Sequence, residues 1–160
     1  RLKTMKPAEL AELGKTDKAA FFAALRPAAE AAERKYGVPA AVILAQAALE
    51  TGWGKHLAAG YNLFGHKGEG PAGSNTTRTR EVENGRDIYI NAKFARYNNF
   101  FEGVEYHGKR FHNGYYDKAV NNYKTAKDPD RFARDITGIY ATDPSYGQKL
   151  IQIMNQYKLK

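Results

Sequence analysis

The chain has no cysteine, which excludes disulfide staples and thiolate metal sites and leaves 160 residues to fold on a hydrophobic core alone. That absence does not fix the compartment. Long apolar runs are also missing. The longest, Val38 to Leu49, is interrupted by Gln46 and falls short of the roughly 20 residues that span a bilayer, so no membrane insertion is expected. No export signal is visible and the first residue is Arg1 rather than Met. The sequence therefore reads as a processed or excised piece with any signal outside it. Five like charges never occur in a row, and there is no internal repeat or low-complexity stretch. No Gly-x-Ser-x-Gly elbow is present, and the glycine-rich segment Gly65–Gly73 is not followed by the Lys-Ser/Thr pair of a phosphate loop. His56, His66, His107 and His112 form no HxxxH pair. They read as scattered surface residues, and neither a metal nor another cofactor is expected.

What the chain does have is positive charge. Lys and Arg number 25 against 17 Asp and Glu, a formal net charge of +8, which suits a polyanionic partner such as nucleic acid, acidic lipid or an acidic wall polymer. Without a clustered basic face, nucleic acid is the weakest of these, and no nucleic-acid partner is expected. Arg1–Lys15 reads as a loosely attached arm, and residues 16–160 as one domain. Thr16 or Asp17 caps a helix to about Tyr36, with a kink or break near Leu25 imposed by Pro27. A second helix, Pro39 to about Glu50, is apolar nearly all round and so buried on every side. Thr76–Glu83 and Arg86–Ala95 flank Asn84-Gly85, the pair favoured in a type I′ hairpin turn. Helices follow from Asn98 or Asn99 to about Phe111, and from Tyr115 to Asn122. Two more run from Asp128-Pro129 to about Tyr140 and from Asp143-Pro144 to about Tyr157. The fold class is α+β, mostly α, with one small hairpin.

Glu50 ends the most apolar helix. Burial and the negative end of the helix dipole both disfavour its ionised form, which raises its pKa as a general acid near neutral pH requires. The same position also suits a Glu that meets solvent where the helix leaves the core, and the pattern leaves both readings open.

Four ordered motifs separate them. Leu44-Ala45-Gln46-Ala47-Ala48-Leu49-Glu50-Thr51-Gly52-Trp53-Gly54, Tyr61-Asn62-Leu63-Phe64-Gly65, Thr79-Arg80-Glu81-Val82-Glu83-Asn84-Gly85 and Tyr140-Ala141-Thr142-Asp143-Pro144-Ser145-Tyr146 resemble those of FlgJ-like flagellar peptidoglycan hydrolases. These are β-N-acetylglucosaminidases of glycoside hydrolase family 73 with a lysozyme-like fold. The resemblance runs from about Ala29 to the C-terminus. It implies that Glu50 is the proton donor and that Tyr146 stands beside it, stabilising the transition state.

It also implies a second carboxylate on the hairpin. Register places Glu83 opposite Arg86, where it makes half of a cross-strand ion pair, and Glu81 opposite Ile88, without a partner. Glu81 is therefore preferred, with Glu83 as the alternative. The substrate's acetamide oxygen is another possible nucleophile. Asn62 and Phe64 are expected to line the sugar cleft, with core packing as the alternative for Phe64. Tyr140 joins this substrate-binding set, with a structural role as its alternative. Trp53 is expected to lock the helix end. The implied activity is endo-β-N-acetylglucosaminidase cleavage of the β-1,4 bond between N-acetylglucosamine and N-acetylmuramic acid in peptidoglycan glycan strands. A muramidase, a lytic transglycosylase or a non-catalytic wall-binding or flagellar-assembly module are the alternatives. The resemblance further implies a periplasmic, flagellum-associated location, or a secreted autolysin, and flagellar rod partners reached through an absent N-terminal region.

Overall fold

The sequence AAVILAQAALET forms α3 (Ala40–Thr51), whose residues from Ala40 to Ala48 are all buried, as an all-apolar helix demands. In the computed structural model, which describes residues 1–160, three other helices surround it. These are α2 (Lys18–Tyr36), α6 (Pro129–Asp135) and α7 (Tyr146–Gln156). Completing the helical body are α1 (Pro7–Thr16), α4 (Phe100–Arg110) and α5 (Asp117–Ala126). A single antiparallel hairpin, β1 (Ser74–Glu83) and β2 (Arg86–Ala95), supplies the β component. The α+β, mostly α class therefore stands.

Local chemistry explains most helix starts. Asp17 accepts from Ala20 N at 3.1 Å, Asn99 from Glu102 N at 2.8 Å and Asp128 from Asp130 N at 3.0 Å, each satisfying an otherwise orphaned donor. Gly37 and Gly52, both left-handed, close α2 and α3. Of the kink or break expected near Leu25, the break does not occur. The helix runs through Pro27, held by a buried face of Phe21, Phe22, Leu25, Ala28, Ala29 and Ala32.

The expectation of a loose arm over Arg1–Lys15 is corrected. Pro7 at the first turn and Glu9, reaching back to Lys6 N at 3.1 Å, start α1. Leu2, Met5 and Leu10 are then buried in the main core. Full burial of such a side chain contributes about 1.5–3 kcal/mol, which a solvated arm would forgo. The last helix also starts later than expected. Asp143 accepts from Ser145 N at 2.8 Å, an Asx turn two residues long, so α7 begins at Tyr146. Gly138, at φ +85°, similarly ends the α6 region short of Tyr140.

Asn84 and Gly85 both have positive φ, and Glu83 pairs with Arg86 and Glu81 with Ile88, the expected type I′ register. The expected Glu83–Arg86 ion pair is replaced by a diagonal one between Arg80 and Asp87 at 3.6 Å. The hairpin is tied to the body at its root, where Ala95 N donates to His66 O at 2.9 Å and Gly68 N to Lys93 O at 2.8 Å.

Candidate active site

Two helices bring the central groups together. Glu50 lies at the C-terminal end of α3, where the apolar face runs out and the residue becomes exposed. Tyr146 opens α7 and is 3% exposed. Its placement depends on a close approach of α6 and α7. Thr137 Oγ1 donates to Ala133 O at 2.9 Å and accepts from Gly147 N at 3.0 Å, and a Cβ at Gly147 would overlap both of those oxygens. Only glycine fits there.

Tyr146 Oη donates to Glu50 Oε1 at 3.3 Å and accepts from Gln46 Nε2 at 3.0 Å. Desolvation by the surrounding wall raises the Glu50 pKa, and the Tyr146 hydroxyl partly opposes it by stabilising the ionised form. The side chain is therefore not shut away from water as expected from sequence. It stands at an open rim, with its carboxyl partly desolvated and its pKa raised. The carboxyl's immediate neighbour is the buried Tyr146 hydroxyl.

Glu50 faces a groove of about 400 Å³, within the range of small-ligand sites. Phe64 and Tyr140 contribute apolar wall, and Lys67 and Arg110 contribute positive charge. Tyr140 stacks on Tyr146 at 5.4 Å between ring centroids, and burial holds its hydroxyl well above the ordinary tyrosine range. Phe64 is 6% exposed and lies flat on His107 at 3.6 Å, so it serves core and groove together. A hollow between α2 and α5 holds another glutamate, Glu33, but both of its oxygens are engaged. They accept from Ala40 N at 2.6 Å and from Tyr123 Oη at 3.2 Å, which makes Glu33 a structural clamp.

Other expected site residues lie elsewhere. Asn62 is 1% exposed, and its amide is fully committed. Nδ2 donates to His66 O at 2.9 Å and Ala95 O at 3.0 Å, while Oδ1 accepts from His66 N at 3.0 Å and Phe64 N at 3.3 Å. It ties the groove loop to the hairpin root and has no donor left for a sugar, so its assignment to the cleft is corrected. Glu81 is half-buried on the hairpin and is not among the residues lining the groove. Trp53 packs against Tyr157 at 5.8 Å at the end of α3, the expected lock.

Sequence reasoning did not single out Gln46, His66, His107 or Arg110. His66 and His107, read as surface residues, are buried and in contact, with His66 Nε2 and His107 Nδ1 2.9 Å apart. Burial, reinforced by Arg110, holds the His66 pKa down to about 3. Burial likewise pushes His107 far below the ordinary histidine range, with His66 and Arg110 adding to the effect. The one legible signal was Gln46, a lone amide in an apolar helix, four residues before Glu50 and so on its face.

Known proteins share this arrangement of elements. Residues 26–159 match the family described as mannosyl-glycoprotein endo-β-N-acetylglucosaminidase, or glucosaminidase. The chain is 38% identical over 151 residues to the peptidoglycan hydrolase FlgJ of Escherichia coli (strain K12), covering 89% of this chain and 47% of that protein. It is 36% identical over 146 residues to the exo-glucosaminidase LytG of Bacillus subtilis (strain 168), covering 87% of this chain and 51% of LytG. It thus spans about half the length of these relatives. The catalytic domain of the autolysin Auto from Listeria monocytogenes superposes with a TM-score of 0.77 at 33% identity, covering 90% of this chain and 86% of that one. With the family match extending over most of its length and a desolvated glutamate at the end of its central helix, the chain belongs to the glucosaminidase family.

Proposed function

We propose that this chain hydrolyses peptidoglycan glycan strands as an endo-β-N-acetylglucosaminidase, cutting the β-1,4 bond between N-acetylglucosamine and N-acetylmuramic acid. The observation that carries the reading is Glu50, a carboxyl of raised pKa held by Tyr146 against an open groove. Glu50 protonates the leaving glycosidic oxygen as an oxocarbenium-like centre develops. Tyr146 fixes the carboxyl and meets the charge that forms beside it. Phe64 and Tyr140 offer wall for a sugar ring, and Lys67 and Arg110 attract the anionic polymer.

On the far face of the sugar, Glu81 supplies the second carboxylate when the hairpin bends over bound glycan. The substrate's acetamide oxygen is the alternative nucleophile, since Glu81 reaches the groove only if the hairpin moves. No helix is long and apolar enough to cross a membrane. A periplasmic or secreted site of action follows from the proposed substrate. Flagellar rod partners are proposed only by likeness to FlgJ.

Glu50→Gln keeps the shape of the side chain and removes the proton donor. The expected outcome is loss of clearing of a cell-wall suspension with an unchanged circular dichroism spectrum. Near-normal clearing by that variant would refute the assignment. Reducing-end analysis and mass spectrometry of the fragments identify the bond: N-acetylglucosamine at the new reducing end supports the proposal, muramic acid there indicates a muramidase, and an anhydro end a transglycosylase.

A further inference from the structure

A line of buried polar groups leads away from Glu50 into the core. Tyr146 Oη lies 3.0 Å from Gln46 Nε2, Gln46 Oε1 2.7 Å from His107 Nε2, His107 Nδ1 2.9 Å from His66 Nε2, and His66 Nδ1 2.8 Å from Tyr97 Oη. Gln46 and His107 are 0% exposed and Tyr97 2%. Near Tyr97 is Arg110, which donates to Lys67 O at 3.0 Å and whose positive charge acts on the Tyr97 phenol.

We propose that Tyr97, His66, His107 and Gln46 are positioning residues for the reaction, forming a one-way hydrogen-bond chain that fixes the Tyr146 hydroxyl as a donor to Glu50 Oε1 and leaves Oε2 to carry the acid proton. The direction follows from its ends. At one end Gln46 Nε2 donates to Tyr146 Oη, so its Oε1 accepts from His107 Nε2. At the other, the positive charge of Arg110, which has donors only, turns the Tyr97 proton toward His66 Nδ1. His66 then donates from Nε2 to His107 Nδ1, and His107 from Nε2 to Gln46 Oε1. That orients the Gln46 amide so that its Nε2 donates to Tyr146, whose one proton goes to Glu50. Each histidine must be neutral and carry its proton on Nε2, which agrees with the burial that keeps both rings uncharged. Reversing one link would set two donors or two acceptors face to face in a dry interior, a costly arrangement.

The catalytic consequence rests on Glu50 being the acid. Oε1 is occupied by the Tyr146 donor, so protonation goes to the other oxygen. The groups facing Glu50 are Tyr146 of α7, Tyr140 before it, Arg110 and Tyr116 across the groove, and Lys67 and His66 from the loop preceding the hairpin. Only Tyr146 is bonded to its carboxyl, so loss of that donation raises the Glu50 pKa and moves the basic limb of activity to higher pH.

The direct test is the proton position on each ring, read by long-range ¹H–¹⁵N correlation on the full chain carrying ¹⁵N-histidine at neutral pH. The chain requires His66 and His107 both as Nε2–H. Finding either as Nδ1–H or as imidazolium overturns it, and this readout does not depend on activity. The kinetic arm uses His107→Phe, which removes the donor to Gln46, with kcat expected to fall about tenfold, KM to hold and the basic limb to shift upward. His107→Gln restores an N–H donor and is expected to recover most of kcat. Where His107→Phe does not fold, Tyr97→Phe removes one hydroxyl at the far end and is expected to leave His66 a mixture of tautomers. A foldable His107→Phe with the parent's kcat and pH profile, or a Tyr97→Phe with His66 still purely Nε2–H, counts against the proposal. An active Glu50→Gln would instead sink the acid assignment and leave the tautomer result standing.

Discussion

At the scale of single residues, Glu50 bears on stability in the opposite sense to the acid role proposed for it. Its pKa is raised in the folded chain, so between the ordinary carboxylate value and the folded one the native state binds more protons than the unfolded state. Stability is then fully present at acid pH and falls as pH rises through the folded pKa. Glu50→Gln should abolish this loss. Calorimetry should show the variant with a higher Tm than the parent at neutral pH, the gap closing as pH drops below the carboxylate range. A variant less stable at neutral pH would contradict a desolvated carboxyl. On the proposed function, a carboxyl whose burial costs stability when ionised is retained because its protonated form serves as the acid, a common exchange of stability for activity. Glu50 was legible in the sequence as the polar end of an apolar helix. Asn62 was misread because its partners are carbonyl oxygens of residues 4 and 33 positions away, and nothing local distinguishes such an amide from one that meets a sugar. His66 and His107, 41 positions apart, could not be paired from spacing for the same reason.

At the scale of elements, helices with a side-chain cap were legible and those relying on tertiary partners were less so. Asp17, Asn99 and Asp128 announced α2, α4 and α6, whereas α1 is too short to stand alone and exists through its contacts. One contact admits no side chain: a Cβ at Gly14 would overlap the Trp53 carbonyl oxygen. Gly14→Ala should therefore pull α1 from the end of α3 and destabilise the fold by about 1–3 kcal/mol, against the small gain alanine normally brings inside a helix. Urea unfolding measures it, and an unchanged midpoint would mean the contact is not tight. The hairpin gives a second comparison. Glu81 shares its face with Ile88 and Ile90 by register, while Glu83 is exposed beside the turn. Wall-lysis rates are expected to fall with Glu81→Gln, less than with Glu50→Gln, and to be nearly unchanged with Glu83→Gln. Equal effects of the two hairpin variants would remove the distinction.

At the scale of the whole molecule, the net charge of +8 becomes useful through where some of it sits, with Lys67 and Arg110 on the groove itself. Attraction to an anionic polymer is screened as the Debye length shrinks from about 10 Å at 0.1 M salt to about 3 Å at 1 M. Cosedimentation with purified wall should weaken over that range, and salt-independent binding would point to contacts of another kind. The hairpin root adds a mechanical consequence. Ala95 and His66 meet there, and the Asn62 amide grips the carbonyl oxygens of both, so any tilt of the hairpin would turn about the same knot that steadies the His66 backbone. Ten residues per strand make a lever arm of about 30 Å, and a tilt of roughly 5° at the fulcrum sweeps its tip through about 2.5 Å. On the proposed function, a polymer leaning on that tip would work with long leverage on the residues at the floor of the groove.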